Sequence, residues 1–363
     1  MPDLVRRVGL VIYGTLSERS GGYLYDHMLV NSLRERGASV EVFSLPWRSY
    51  PVHLLDNLRT NLTQQVEEAR LDLLLEDELN HPSLVFLNQG LRKRAGIPIV
   101  SIVHHLRCSE LRSAWQNACY AAIERTYLSG VDGFVFNSRA TARSVQRLIG
   151  ASPPAVIAYP GGDRFRARLD EDTIRARTTT IPPLRIVFLG NVIPRKGLQT
   201  LIDTVAPLPP EMWRLSVIGD LTLDRQLVRS MRRKIVLRGL TEQIWFAGRL
   251  ADGDVAEVLR TSHVLVIPST YEGYGIAYLE GMSFGLPAIG TTVGGAGEII
   301  TERVNGRLLQ ANDPTALTWA LIDLIRHPET LTAMSQAALE RASSQPSWSE
   351  SMNAASAFVE SMI

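Results

Sequence analysis

The sequence has few cysteines and no long apolar run. Cys108 and Cys119 are its two cysteines, and their spacing fits neither a CxxC redox pair nor half of a zinc site. A reducing compartment is therefore expected. No stretch approaches the roughly 20 apolar residues that a membrane-spanning helix needs. The apolar run 8–13 is short and leads into polar residues, which is typical of a buried strand rather than of a signal peptide.

The chain also has almost no net charge. It carries 38 basic and 37 acidic residues, a net charge of +1, so we do not expect nucleic acid as a partner. The basic run 91–94 is either a solvated helix end or a local patch for peripheral membrane contact. Hydrophobic residues make up 45% of the chain, as in folded proteins. We expect a cytoplasmic protein that is soluble or peripheral at the inner membrane face.

Short apolar, β-branched runs alternate with longer amphipathic stretches throughout the chain. This alternation predicts buried parallel strands with helices on both faces of the sheet. The predicted strands are 8–14, 40–45, 98–105, 131–138, 155–162, 184–190, 213–219, 244–248, 263–269 and 286–291. Helices are predicted at 23–36, at 138–149 with Ser138 as N-cap, and from Asp313 onward with Pro314 in the first turn.

The length of the chain and one change of composition predict two domains. A chain of 363 residues exceeds what one hydrophobic core usually serves. The charged, threonine-rich stretch 163–183 ends in two prolines and is predicted to be a linker. Two doubly wound α/β domains leave a cleft, and ligands of such sheets collect outside the carboxyl ends of the strands. Candidate site residues are therefore sought at the strand ends.

Two strand ends of the first domain carry candidate residues. Gly21 and Gly22 stand just before a helix, where bare backbone amides can approach an anion or a sugar, although they also fit a plain loop. His104 and His105 end a predicted strand. Because successive side chains of a strand point to opposite faces, one histidine of the pair is expected to face the cleft. A zinc site is not expected, since no third ligand is near in sequence.

In the second domain, a basic pair follows a strand and opens a helix. Arg195 and Lys196 lie at this helix entrance, where positive side chains and the helix dipole favour a phosphate. The GxxxxGK[ST] order of a P-loop is absent. A merely solvated basic pair is the alternative interpretation.

A second strand, glycine turn and helix carry two glutamates. The backbone amides of Tyr274, Gly275 and Ile276 are expected to point from the helix N-terminus toward an anion. Glu280, about one turn into this helix, can accept hydrogen bonds from vicinal hydroxyls. Glu272 precedes the turn and can reach the opposite side of the anion. A diphosphate, a ribose and a hydroxylated group held in this way describe a nucleotide sugar.

These motifs resemble those of the retaining GT-B glycosyltransferases of family 4, the glycosyl transferases of group 1. Glu272 and Glu280 fit the E-x7-E signature of that family, and residues 284–309 resemble its following strand, glycine loop and strand. The stretches 190–197, "GNVIPRKG", and 244–250, "IWFAGRL", are similar to further family motifs, as is the final helix from Trp348. The resemblance implies the GT-B fold, in which two Rossmann-like doubly wound domains with parallel sheets face each other across a cleft.

The resemblance implies roles for the donor-side residues. Lys196 would neutralise the diphosphate, Glu280 would hold the ribose, and Glu272 would contact the hydroxyls of the transferred sugar. Asn191 replaces the arginine usual in the family, and Arg195 is the candidate for the missing positive charge. Family members work without a metal, so no metal and no cofactor other than the nucleotide-sugar co-substrate is expected.

The resemblance also implies a histidine that approaches the donor sugar. His104 takes this role by its place at the strand end, and His105 is the alternative. The implied catalytic set is therefore His104, Lys196 and Glu272. Asp252 and Asp254 resemble the metal-binding DxD of the other glycosyltransferase fold, but they precede a helix, which predicts a capping role.

Together these features predict a hexosyltransferase that moves a sugar from a UDP or GDP donor to an acceptor hydroxyl on a glycan, lipid or small metabolite. The expected domains are an acceptor-side domain over 1–165, a donor domain over 166–345, and a C-terminal helix over 346–363 that packs back on the first domain. Asp77, Glu78 and His81 either line an acceptor pocket or carry surface charge. The competing hypotheses are a nucleotide-sugar epimerase or hydrolase, a glycosidase, and a non-catalytic nucleotide-sugar-binding protein.

Overall fold

The computed structural model describes residues 6–18, 20–58, 61–94, 96–165 and 169–363. The chain divides into two compact units, of which the first is formed by residues 1–161 together with 346–363, and the second by residues 162–345. Each unit contains a six-stranded sheet in which neighbouring strands run parallel. No helix within the described ranges is long and apolar enough to cross a membrane.

The sheet of the first unit has the strand order β2-β1-β3-β4-β5-β6. Its strands are β1 Arg7–Tyr13, β2 Ser39–Leu45, β3 Leu73–Asp77, β4 Ile99–Val103, β5 Gly133–Phe136 and β6 Ala155–Ile157. Its helices are α1 Gly21–Glu35, α2 Tyr50–Leu55, α3 Asn61–Ala69, α4 His81–Leu84, α5 Leu87–Arg94, α6 Ala114–Leu128, α7 Arg139–Ile149 and α15 Trp348–Ser361. Strand β3 was not predicted, because its acidic end resembles a surface stretch, yet all five of its residues are buried.

The sheet of the second unit has the order β12-β11-β10-β7-β8-β9. Its strands are β7 Leu184–Leu189, β8 Trp213–Ile218, β9 Ile244–Gly248, β10 Val264–Val266, β11 Ala288–Thr291 and β12 Gly306–Leu309. Its helices are α8 Glu171–Thr178, α9 Leu198–Val205, α10 Arg225–Leu237, α11 Asp252–Thr261, α12 Ile276–Met282, α13 Pro314–Arg326 and α14 Pro328–Ser343.

Helix α8 corrects the prediction that residues 163–183 form a linker. The Asp170 side chain caps this helix by accepting a hydrogen bond from the Thr173 amide at 2.8 Å. Ile174 is fully buried, and the Arg177 guanidinium donates to the Phe284 and Gly285 carbonyls at 2.9 and 2.7 Å. The charged and threonine-rich composition led to the prediction of a linker. The structure has a helix there, which is held by the buried Ile174 side chain and by the Arg177 hydrogen bonds.

Several predicted helix ends are confirmed by their caps. The Ser138 hydroxyl accepts from the Thr141 amide at the start of α7, and the Asp313 carboxylate accepts from the Ala316 amide at the start of α13. Asp252 and Asp254 lie in the first turn of α11, where acidic side chains favour the helix dipole, but the N-cap is Ala251 and no described side chain caps this helix, so their predicted capping role was wrong. Local capping rules therefore predicted the starts of α7 and α13 correctly.

Helix α15 completes the first unit by packing against α1. The Ser356 and Ser32 hydroxyls lie 2.9 Å apart in this interface, and the Glu360 carboxylate pairs with the Arg36 guanidinium at 2.7 Å. The N-terminal capping box of α15 joins Ser347 and Glu350.

Candidate functional site

The basic pair Arg195 and Lys196 lies in a 3-10 turn, Pro194–Lys196, that follows β7. Gly197 ends this turn in the left-handed region, at a φ of 73°. A Cβ atom at Gly197 would come within 2.1 Å of the Pro268 carbonyl oxygen. Glycine is therefore required for the basic turn to approach the segment that follows β10.

Glu272 lies within reach of this basic turn and is buried. Its Oε1 atom accepts hydrogen bonds from the Lys196 Nζ atom and from the Ser269 hydroxyl, both at 2.6 Å. The Arg195 guanidinium donates to the Tyr271 carbonyl at 2.7 Å and lies 4.0 Å from Glu272 Oε2. The fold thus brings together Arg195, Lys196 and Glu272, which were singled out from two distant motifs.

The protonation states of this group follow from its burial and its charges. Burial opposes ionisation of Glu272, but Lys196 and Arg195 outweigh it and lower the pKa of this carboxyl. Burial also lowers the pKa of Lys196, against the opposing effect of Glu272. The pair is a buried carboxylate beside a desolvated amine, which is the electrostatic pattern of a ligand site rather than of a solvated surface.

A glycine-lined turn joins Glu272 to helix α12. A Cβ atom at Gly294 would lie 1.9 Å from the Glu272 carbonyl oxygen, so this close approach of two chain segments needs glycine. Gly275 precedes α12 with a φ of 104°. Ile276 begins the helix as predicted, and the Tyr274 hydroxyl donates to Gln345 at 3.1 Å.

Glu280 lies on α12 and is paired with an arginine that sequence reasoning missed. The Arg164 guanidinium donates to Glu280 Oε1 at 2.5 Å and to Asp252 Oδ1 at 2.9 Å. Burial raises the pKa of Glu280, although Arg164 acts against this rise. Arg164 stands in the stretch that was assigned to a linker, and no local pattern marked it.

Asn191 connects the turns after β7 and β8. Its side-chain oxygen accepts from the Asp220 amide at 3.4 Å, and the Asp220 carboxylate pairs with the Arg249 guanidinium at 2.6 Å. Asn191 thus has a local structural contact, and the Arg195 guanidinium lies 4.0 Å from Glu272 Oε2. The substitution of Arg195 for the usual arginine stays a prediction.

In the first unit, His104 follows β4 and is held by a buried carboxylate. Its Nε2 atom lies 3.1 Å from Asp26 Oδ1, and Asp26 is fully buried. Burial alone would lower the pKa of His104, but Asp26 and Asp77 raise it to about 9. A Cβ atom at Gly22 would lie 3.2 Å from His104 Cδ2, so Gly22 lies against the imidazole ring.

His105 has a different acidic neighbour, as the alternation of strand side chains predicts. Its Nε2 atom lies 3.0 Å from Glu110 Oε1. Gly21 is the exposed first residue of α1 and follows the N-cap Ser20. Both histidines are partly exposed, but His104 is the one in contact with a fully buried acid.

The described residues contain two groups whose ligand atoms lie within 4.8 Å of one another. One consists of Asp26, Asp77 and His104, and the other of Glu78, His81 and Glu124. No third ligand stands near His104 in the sequence, and Asp26 and Asp77 reach it from distant segments. The expectation that the protein works without a metal stays a prediction. The interpretation of Asp77, Glu78 and His81 as surface charge is wrong, since all three are at most 3% exposed.

Two family models match the chain. The model described as "Glycosyl transferases group 1" matches residues 170–341, and the "Glycosyl transferase 4-like domain" matches residues 25–162. The match to an uncharacterized glycosyltransferase of Methanocaldococcus jannaschii is 33% identical over 39% of this chain and 38% of that protein. D-inositol 3-phosphate glycosyltransferase of Rhodococcus erythropolis is 25% identical over 83% of this chain and 78% of its own length.

Solved structures share the fold over nearly the whole chain. Sucrose-phosphate synthase from Thermosynechococcus elongatus has a TM-score of 0.81 at 16% identity, with 98% of this chain and 99% of that chain covered. HepE of Anabaena, crystallised with UDP and glucose, has a TM-score of 0.78 at 18% identity, with 98% and 100% covered. At these identities the likeness establishes the architecture of two parallel sheets.

Proposed function

We propose that this chain, which belongs to the group 1 glycosyltransferases and has their GT-B fold, moves a hexose from a nucleoside-diphosphate sugar to an acceptor hydroxyl with retention of anomeric configuration. The observation that carries the proposal is the buried group of Arg195, Lys196 and Glu272 at one end of a parallel sheet. Two cations and one carboxylate in this place suit a diphosphate next to a hydroxylated sugar.

We propose a UDP-sugar as the first donor to examine and a GDP-sugar as the second. Solved structures of HepE contain UDP or UDP-glucose, and HepE shares the fold of this chain. In our proposal, Glu280 accepts hydrogen bonds from the ribose hydroxyls and Glu272 contacts hydroxyls of the transferred sugar. The amides of Tyr274, Gly275 and Ile276 are proposed to face the diphosphate, as donors without a charge of their own.

The leaving group determines the chemistry. The bond between the anomeric carbon and the diphosphate oxygen breaks, and its electron pair stays on the departing phosphate. The acceptor oxygen then bonds to the anomeric carbon from the same face, and its proton passes to the departing phosphate oxygen. Lys196 and Arg195 stabilise the negative charge that develops in this step, so we propose transfer without a metal ion.

We also propose a role for His104. Its raised pKa and its contact with Asp26 keep the imidazole oriented and protonated near neutral pH. A protonated imidazole donates hydrogen bonds to substrate oxygens. We keep His104 in the proposed catalytic set with Lys196 and Glu272, and His105 as a substrate-binding candidate.

Three variants test the donor site. Lys196→Ala and Glu272→Ala are expected to lower transfer from UDP-glucose at least about 100-fold, since each removes one member of a buried charge pair. Lys234→Ala is the matched control, because Lys234 forms a lysine–carboxylate pair with Asp203 on the helical surface of the same unit. Release of UDP in the presence of an acceptor panel is the measurement, with circular dichroism to confirm folding.

The assignment of the donor site would be wrong if folded Lys196→Ala and Glu272→Ala transferred sugar at nearly the wild-type rate. Equal consumption of donor with and without every acceptor would indicate a hydrolase or epimerase instead. Binding of UDP-glucose by the wild type without any turnover would indicate a non-catalytic binding protein.

A further inference from the structure

An arginine of the first unit is held between two tyrosine rings just beyond β4. Arg107 lies in the 3-10 turn Arg107–Ser109. Its guanidinium carbon is 5.0 Å from the ring centroid of Tyr50 and 4.9 Å from that of Tyr120. The two rings meet edge to face with their centroids 4.8 Å apart, so they fix the cation from two directions.

The guanidinium of Arg107 forms no close ion pair in the part of the chain that the structure describes, and one of its electrostatic effects is to lower the pKa of Glu78, which burial raises. Its Nε atom is buried and has no hydrogen-bond partner there, and no carboxylate of these residues lies within 4.0 Å of its guanidinium. Arg112 shows the contrast. It also lies over Tyr120, at 5.1 Å, but it pairs with Glu110 at 2.7 Å.

The buried Glu124 carboxyl fixes the backbone of the turn that carries Arg107. Glu124 accepts hydrogen bonds from the Arg107 amide at 2.5 Å and from the Cys108 amide at 3.1 Å. Tyr50 is fixed in turn, because its hydroxyl lies 2.9 Å from His81 Nε2. The guanidinium is therefore oriented before any ligand arrives, which lowers the entropic cost of binding.

The buried acids near this turn leave the positive charge available. Burial raises the pKa of Glu78 to about 8, and burial together with Glu78 raises the pKa of Glu124 to about 7. At pH 7 Glu78 is therefore mostly protonated and Glu124 about half protonated. Burial lowers the pKa of His81 to about 4, so this imidazole is neutral there, and Arg107 dominates the local charge.

We propose that Arg107 binds a phosphate group carried by the acceptor. A guanidinium presents paired donors that match the oxygens of an oxyanion. A phosphate monoester brings close to two negative charges at neutral pH, where a carboxylate brings one, and so gains more from a single unneutralised cation. The turn follows β4 directly after His104 and His105, on the carboxyl side of the sheet where ligands of such folds collect. This inference rests on the proposed transferase function and narrows its acceptor class.

Transfer assays test the acceptor class. UDP-glucose is supplied with glucose 6-phosphate, glucose, glucuronate, or phosphatidylinositol 4-phosphate vesicles, and UDP release is followed. We expect one phosphorylated acceptor to exceed every uncharged one in kcat/KM by at least about 10-fold, with Arg107→Ala removing that preference through a higher KM. The vesicle arm distinguishes a lipid phosphate from a soluble one. A preference for glucose or glucuronate, or a phosphate preference that survives Arg107→Ala, would contradict the proposal.

A phosphate-binding measurement tests the role of Arg107 even if the protein uses no acceptor of this panel. With the donor site saturated by UDP, inorganic phosphate is titrated into wild type, Arg107→Ala, Arg107→Lys and Lys93→Ala, the last being an exposed basic residue of α5. We expect phosphate affinity to fall at least about 10-fold in Arg107→Ala, to recover partly in Arg107→Lys, and to stay unchanged in Lys93→Ala. Equal affinity in wild type and Arg107→Ala overturns the inference. Failure of the donor function would appear separately, as loss of UDP binding by the wild type.

Discussion

At the scale of single residues, the contact between Arg164 and Glu280 is the one with the clearest consequence for donor binding. Glu280 is a buried carboxylate whose pKa is raised by burial, and Arg164 is its nearest cation. The carboxylate can accept hydroxyl hydrogen bonds through both oxygens only in its ionised form. Arg164 is therefore a positioning residue that keeps Glu280 charged for its proposed role with the ribose.

Replacing Arg164 should make donor binding weaker and dependent on pH. In Arg164→Ala the pKa of Glu280 rises further, so more of this carboxyl is protonated at pH 7 than in the wild type. We expect UDP affinity to fall about 10-fold at pH 7 and to recover as the pH is raised and Glu280 ionises. Calorimetric titration with UDP between pH 6 and 9 measures this dependence.

Arg164→Lys is the matched control, since it keeps a cation beside Glu280 and should keep most of the affinity at pH 7. If Arg164→Ala binds UDP as tightly as the wild type over the whole pH range, Glu280 does not need this partner. The proposed link between Arg164 and the ribose would then be wrong.

Sequence patterns brought out the residues whose motifs are local and missed their distant partners. Glu272 and Lys196 stand in short strand, turn and helix motifs, and the structure places them 2.6 Å apart. Asp26 was missed as the partner of His104, because 78 positions separate them. Arg107 was missed because its significance lies in the rings of Tyr50 and Tyr120, which reach it only through tertiary packing.

At the scale of elements, large apolar side chains are exposed around helix α2 and in the turn before α5, and together they are called the apolar surface below. Leu58 is 81% exposed and Phe86 is 60% exposed, and the Phe86 amide donates to Asn57, the neighbour of Leu58, at 2.8 Å. Trp47 and Leu55 are also exposed. By contrast, two basic residues of the run 91–94 pair with acids, Arg92 with Asp132 and Arg94 with Glu67. Peripheral membrane contact, which the sequence leaves as a prediction, is therefore tested on these apolar side chains, since their insertion into a bilayer interface would remove apolar area from water.

Two substitutions on this surface should weaken contact with vesicles. Leu58→Ser with Phe86→Ser removes two large apolar side chains that would otherwise leave water on docking, and we expect binding to phosphatidylglycerol vesicles to fall at least about 5-fold. Trp319→Ser is the control, because Trp319 is 63% exposed on a helix of the second unit. Sedimentation with vesicles measures the bound fraction. Equal sedimentation of the double variant and the wild type would exclude this surface as the contact.

The same scale shows which elements a sequence pattern can predict. Strands β1, β2, β7 and β8 are rich in apolar and β-branched residues and were predicted nearly to the residue. Strand β3 was missed because buried acids at its end, Glu76 and Asp77, mimic a polar surface. Helix α8 was missed because burial of Ile174 and the carbonyl contacts of Arg177 are tertiary facts.

At the scale of the whole molecule, the chain builds the same kind of parallel sheet twice and places its candidate residues at comparable points. His104 and Arg107 follow β4 in the first unit, whereas Lys196 follows β7 and Glu272 follows β10 in the second. This is the rule for open parallel sheets, whose ligands collect beyond the carboxyl ends of the strands. Because strands and the residues that follow them recur in the same order in both units, the sequence pattern that predicted the strands also located the candidate residues at their ends.

The most direct test of the central claim is the anomeric configuration of the product. Transfer from UDP-α-glucose to an acceptor is followed by proton NMR in buffer containing EDTA. The account predicts release of UDP with formation of an α-linked glucoside, at a rate that EDTA does not lower. A β-linked product, or turnover that EDTA abolishes and added divalent metal restores, would contradict a metal-independent retaining transferase.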